Sequence, residues 1–147
     1  MVEWATLFDC PVYIHQHDEQ WIMDWSDTYL RVWQGDRQAL WDGIEIVRTG
    51  GHFPGSTVLY MPNLGKGTLL TGDTIYVGKN RQWVTCMYSY PNQIPLAKAA
   101  IQQIVEQVTP LSFETLYGAF DGQDIDEGAK DIFSASMNRY LSIVSGS

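Results

Sequence analysis

The spacing of apolar and polar residues changes several times along this chain, and the changes mark its elements. Val2 to Phe8 spaces its apolar residues like the end of a helix. Cys10-Pro11-Val12-Tyr13-Ile14 reads as a short strand, with Pro at its entry, and runs into His15-Gln16-His17-Asp18-Glu19. Glu19 to Leu30 has mixed spacing and fits a short helix or an irregular loop. Asp42-Gly43 is a hairpin signal between Gln38-Ala39-Leu40-Trp41 and the alternating strand Ile44 to Arg48. A Gly- and Pro-rich loop, Thr49 to Ser56, leads into a strand over Thr57 to Met61. Pro62 to Gly67 is a turn, and Thr68-Leu69-Leu70-Thr71 is a strand closed by Gly72-Asp73.

The second half reads differently. Gln82 to Tyr90 is aromatic-rich and fits loop or strand. Ile94 to Val108 carries apolar residues at helical spacing until Pro110 stops it. Phe113 to Gly118 is a last strand, and Asp126 is placed to cap a final helix with Ile132, Phe133, Met137, Tyr140, Leu141 and Val144 on its apolar side. Strands followed by helix, strand and helix predict an α/β (α+β) fold, a sheet with helices packed on one face. No repeat or linker divides it, so residues 1–147 read as one domain.

Composition narrows the partners. A net charge of −8 repels phosphate backbones, and no basic patch relieves it, so nucleic acid is not expected. No apolar run approaches the ~20 residues of a membrane span, and no secretory leader is visible. Cys10 and Cys86 have no CxxC partner, so they read as small buried residues in a cytoplasmic protein. Six Trp and eight Tyr leave room for an aromatic surface meant for a partner, in Trp21 to Trp41 or Trp83 to Tyr90.

Two residues could carry chemistry at the ends of neighbouring strands. His52 lies in the Gly/Pro loop and Asp73 follows Gly72; imidazole and carboxylate are ordinary ligands for zinc, iron or manganese. Each also has a plain structural role open to it, ordering a turn or accepting backbone N–H groups. Gly65-Lys66-Gly67-Thr68 lacks the spacing of a phosphate-binding loop and reads as a hairpin turn.

The segment Thr49-Gly50-Gly51-His52-Phe53-Pro54-Gly55-Ser56, followed by Leu70-Thr71-Gly72-Asp73-Thr74, resembles the metallo-β-lactamase superfamily. That family has a similar Gly-His-x-Pro-Gly-Ser loop and Thr-Gly-Asp strand end at similar spacing. The resemblance runs from about Pro11 onward and implies an αββα sandwich with a metal site at one edge. It implies that His52 is a metal ligand and that Asp73 bridges two metals as the catalytic carboxylate. Metal-bound hydroxide would then attack an ester, thioester, lactone, amide or phosphodiester.

The family's His-x-His-x-Asp-His motif has two candidate positions. His15-Gln16-His17-Asp18-Glu19-Gln20 keeps two His but has Glu and Gln where Asp and His belong. Alternatively, Pro11-Val12-Tyr13-Ile14-His15 resembles a later strand of the family, and the main motif has no counterpart here. The second alignment suits the length, which is short of a full αββα domain. The family's Pro-Gly-His near the last strand is also lacking, with Asp121 the nearest substitute. His15 and His17 could complete a ligand set if they fold against His52 and Asp73.

These readings favour a reduced, non-catalytic protein, a truncated half of the metallo-β-lactamase-like sandwich. It would self-associate as a dimer to cover its open sheet face and serve as a binding module. The alternative is a metal-dependent hydrolase acting on a small-molecule substrate.

Overall fold

The computed structural model describes residues 2–23, 28–89 and 92–145. Helix α1 (Val2–Phe8) leads into β1 (Val12–His15), a 3-10 turn over Gln16–Trp21, and β2 (Leu30–Trp33). Then come β3 (Arg37–Ala39), β4 (Glu45–Arg48), β5 (Thr57–Met61) and β6 (Thr68–Gly72). Four short strands follow: β7 (Tyr76–Val77), β8 (Val84–Thr85), β9 (Met87–Ser89) and β10 (Ile94–Pro95). The chain ends with α2 (Lys98–Val108), β11 (Thr115–Gly118), β12 (Asp124–Ile125) and α3 (Ala129–Val144).

The main sheet has six strands in the order β12-β11-β6-β5-β4-β3. Every pairing in it is antiparallel except β11 with β6, which α2 joins by a crossover. Asp42 and Gly43 both have positive φ, 51° and 78°, as a tight β3–β4 turn demands. Gly67 turns the chain into β6 where a Cβ would sit 2.2 Å from the Ser112 carbonyl, so no side chain fits there. A separate parallel pair, β1 with β2, runs Val12 opposite Leu30 to His15 opposite Trp33.

Strand periodicity gives the sheet two unlike faces. On one, Tyr60, Leu69, Leu116 and Ile125 are register neighbours, with Val47 opposite Val58 beside them. Both long helices close this face through Ile101, Ile104, Val108, Phe133 and Met137, all buried in one cluster. Each such side chain contributes roughly 1.5–3 kcal/mol by leaving water. On the other face, Gln38, Ile46, Leu59, Leu70, Tyr117 and Asp124 form one row across all six strands. Leu59 and Leu70 are half-buried and Tyr117 is 41% exposed.

Three local expectations change. The helix predicted from Ile94 begins at Lys98, because Ile94 and Pro95 pair with β9 instead. Asp126 does not cap α3: the helix starts after Gly128, whose N–H donates to the Glu114 carboxylate, while the Glu114 carbonyl accepts from Ala129. Cys10 is exposed; only Cys86 is buried, and that burial pushes its thiol up to about 12. The ambiguous segment Glu19 to Leu30 begins as the end of the 3-10 turn, and residues 24–27 lie outside the described residues. Among the described residues, no helix is long and apolar enough to cross a membrane.

Candidate functional site at one end of the sheet

Register brings the two loop motifs to the same end of the molecule. Because β5 and β6 are antiparallel with Leu59 opposite Leu70, the start of β5 lies beside the end of β6. The loop carrying His52 enters β5 there, and Asp73 leaves β6 there. The end of β11 joins them, since Gly118 pairs with Gly72. Asp121 follows in the exposed turn before β12.

The His52 loop is tightly made. Thr49 and Gly50 N–H groups both donate to the Ser56 carbonyl, at 2.9 and 3.0 Å. The Ser56 hydroxyl accepts from the Phe53 N–H at 2.8 Å, and the Ser56 N–H donates to the Phe53 carbonyl. His52 is half-buried, its ring edge-on to Phe53, and its Nδ1 lies 3.3 Å from the Met87 carbonyl. A carbonyl only accepts, so in this contact Nδ1 carries the proton. Asp73 is exposed in a turn fixed by Thr71, which accepts from Thr74 N–H and donates its hydroxyl to the Ile75 carbonyl.

The His15–His17 segment reaches this end through a different residue. Gly55 N–H donates to the Asp18 carboxylate at 2.8 Å, and Trp21 rests against Phe53 with ring centroids 6.3 Å apart. A Cβ on Gly55 would lie 2.7 Å from that carboxylate, so glycine is what lets Asp18 seat. Sequence reasoning missed this tether. The Gly after Pro54 was its only signal, and that residue also reads as a turn former.

His15 is buried, at 3% exposure, and edge-on to Trp33. Its Nδ1 accepts from the His17 N–H at 3.2 Å and its Nε2 faces the Gly35 carbonyl at 3.1 Å. Both ring nitrogens are therefore engaged with backbone, and the neutral Nε2–H form satisfies both. Burial lowers its pKa, with His17 and Arg48 adding to the effect and the Gly35 contact opposing it. His17 is exposed and stands edge-on to His15, with ring centroids 4.6 Å apart.

Set against the needs of a metal, these residues divide. His52 fits, because a ligand His characteristically donates its other ring N–H to a carbonyl or carboxylate. His15 in this arrangement offers no lone pair. Among the described residues, no three His, Cys, Asp or Glu side chains come together as a cation site. A zinc centre needs three or four protein ligands. The donor set among the described residues does not fit a complete metal centre.

This geometry sits in a fold with known counterparts. The chain superposes on the DIM-1 metallo-β-lactamase exposed to ceftazidime with a TM-score of 0.60 at 14% identity, covering 98% of this chain and 60% of that one. The fold is thus that of a metallo-β-lactamase, the class that the two loop motifs resemble. An N-acyl homoserine lactone hydrolase with N-hexanoyl-L-homoserine at its catalytic metal center gives a TM-score of 0.39 at 13% identity, covering 92% of this chain and 42% of that one. In sequence the chain is similar to YmaE of Bacillus subtilis (strain 168), itself uncharacterized, with 42% identity over 142 residues. That match covers 95% of this chain and 51% of YmaE, so the chain spans about half the length of the curated relative it matches. No family model matches.

Proposed function

We propose that this chain is a metallo-β-lactamase-fold protein that acts as a binding module rather than a hydrolase, and that it self-associates through the open face of its sheet. One observation carries the reading: the cross-strand row Leu59, Leu70 and Tyr117, half-buried to exposed on the face opposite both long helices. Apolar surface of this kind gains about 25 cal/mol per Å² when covered. A two-fold axis through the row would lay it on its own copy. The neutral, doubly bonded His15 supports the non-hydrolytic half of the reading, since it acts as a structural imidazole. Cytoplasmic residence accords with unpaired Cys10 and Cys86.

Two copies at −8 each repel, and salt screens that repulsion. Light scattering should therefore find twice the 16.7 kDa chain mass at tens of micromolar protein (about 10⁻⁵ M,), more so in high salt. Leu70→Glu should return the chain to monomer with its circular dichroism unchanged. A monomer at ~100 µM in high salt would refute self-association.

A second reading, a metal-dependent hydrolase holding metal at His52 and Asp73, is favoured by the His52 contact with the Met87 carbonyl alone. Elemental analysis of protein purified without chelator decides it. Near-stoichiometric zinc, iron or manganese, lost in both His52→Ala and Asp73→Ala, would replace the first reading.

A further inference from the structure

On the helix-covered side, a cleft of about 500 Å³ opens between the β7–β8 hairpin and α3. Its α3 wall is the stripe Ser136, Arg139, Tyr140 and Ile143, spaced as one helix face. The facing wall is Trp83, with Gln82 beside it. Both walls are held in place. The Val84 N–H donates to the Ser136 hydroxyl at 3.0 Å, tying the strand to the middle of α3. Tyr140 donates its hydroxyl to the Leu96 carbonyl at 3.2 Å, which fixes its ring. The Trp83 ring lies directly on Gly78, where a Cβ would come within 2.3 Å of it. The hairpin carrying Trp83 is braced by the Arg81–Asp124 ion pair at 3.1 Å.

The cleft is therefore a fixed slot with one aromatic plate, an aliphatic rim and a single guanidinium. Among the described residues, the ion pairs engage Arg37, Arg48 and Arg81, and Arg139 takes part in none of them. A guanidinium is a planar fork of donors that matches a carboxylate. An indole face takes a flat apolar body. In a chain of net charge −8, an exposed Arg lining an apolar slot selects an anion at that point while its surroundings repel anions elsewhere.

We propose that this cleft binds a small aromatic carboxylic acid, its ring on Trp83 and its carboxylate on Arg139. The site gives the binding-module reading a ligand, and rests on that reading. Its lining includes neither His52 nor Asp73.

The test uses 2-naphthoate as probe and uncharged 2-naphthamide as its control, followed by saturation-transfer NMR on the full chain. Naphthoate should bind saturably below ~1 mM, with the amide about tenfold weaker. Arg139→Gln, an exposed change that leaves the core untouched, should weaken the acid by about the same factor and leave the amide unchanged. Arg139→Lys should retain part of the affinity, since charge survives without the fork. Equal binding of acid and amide, indifference to Arg139→Gln, or no saturation by ~10 mM would each overturn the proposal. None of these outcomes alters the chain mass measured by light scattering, so the slot and the self-association can fail separately.

Discussion

The segment from α1 to β2 and the six-stranded body are stabilised in opposite ways. The body buries Val47, Val58, Leu69, Leu116, Phe133 and Met137 almost completely under two amphipathic helices. The first segment leaves Trp4, Leu7, Phe8, Trp21 and Met23 at 60% exposure or more, and buries Ala5, His15, Leu30 and Trp33. Among the described residues its ties to the rest are mostly polar: Asp18 to Gly55, His15 to Gly35, and the Asp36–Arg48 ion pair just beyond it, with the Trp21–Phe53 ring contact beside them. One region is a self-sufficient core, and the other is an apolar surface pinned by hydrogen bonds. An aromatic-rich sequence therefore need not mean an aromatic core.

The sharpest break in that comparison is a pair of aromatic truncations. Phe133→Ala removes a ring that is 1% exposed and meets Phe113 at 6.4 Å, and should cost roughly 3–5 kcal/mol. Trp4→Ala removes a larger ring that is 66% exposed and, among the described residues, stacks on Phe8, and should stay within about 0.5 kcal/mol. Urea unfolding of the two variants measures both. Similar losses would mean that α1 is packed in solution, as a covering partner would make it.

A smaller effect should follow from the tether. Gly55→Ala puts a methyl where the Asp18 carboxylate sits, so it should expel Asp18 and lose a hydrogen bond to a charged group. Asp18→Ala loses the same bond by the other route. Each should cost about 1–2 kcal/mol, at the lower end for charged acceptors because Asp18 is half exposed. The double variant should cost no more than the dearer single change, because one interaction cannot be lost twice. Additive losses would show that Gly55 and Asp18 act independently.

Much of the body was legible because its signals are local. Asp42-Gly43, the alternation of Ile44 to Arg48, and the periodicity of Ile94 to Val108, which overruns the helix start at Lys98, each report a nearby geometry. The Gly-His-x-Pro-Gly-Ser and Thr-Gly-Asp motifs gave the fold, and strand register places both at one sheet end. What sequence could not show is contact at a distance. Glu114 caps α3 across fourteen residues, and Lys130 closes α2 by donating to the carbonyls of Val108, Thr109 and Leu111. Neither leaves a trace in spacing. The same applies to His15. Next to His17 it reads as a candidate ligand, and only the approach of Gly35, twenty residues on, makes it a buried structural imidazole.

That imidazole supplies the gentlest test of the comparison. His15 must stay neutral to accept from the His17 N–H while it donates to Gly35. Burial lowers its pKa below the ordinary 6.5, so the unfolded chain takes up this proton more readily than the folded one. Stability from His15 is then fully present above about 6.5 and drains away as pH falls through the lowered folded value. The groups facing it are mixed: His17 and Arg48 push its pKa down, and the Gly35 carbonyl and Asp18 push it up. Protonation would oppose the His17 N–H contact first, and so loosen the 3-10 turn that carries Asp18. Amide exchange, corrected for its intrinsic pH dependence, should speed up at His17 and Gly55 on acidification while β6 and α3 stay protected. His15→Gln should flatten that difference, since an amide carries no titrating proton. Uniform loosening of both regions would place the acid-sensitive element in the body instead.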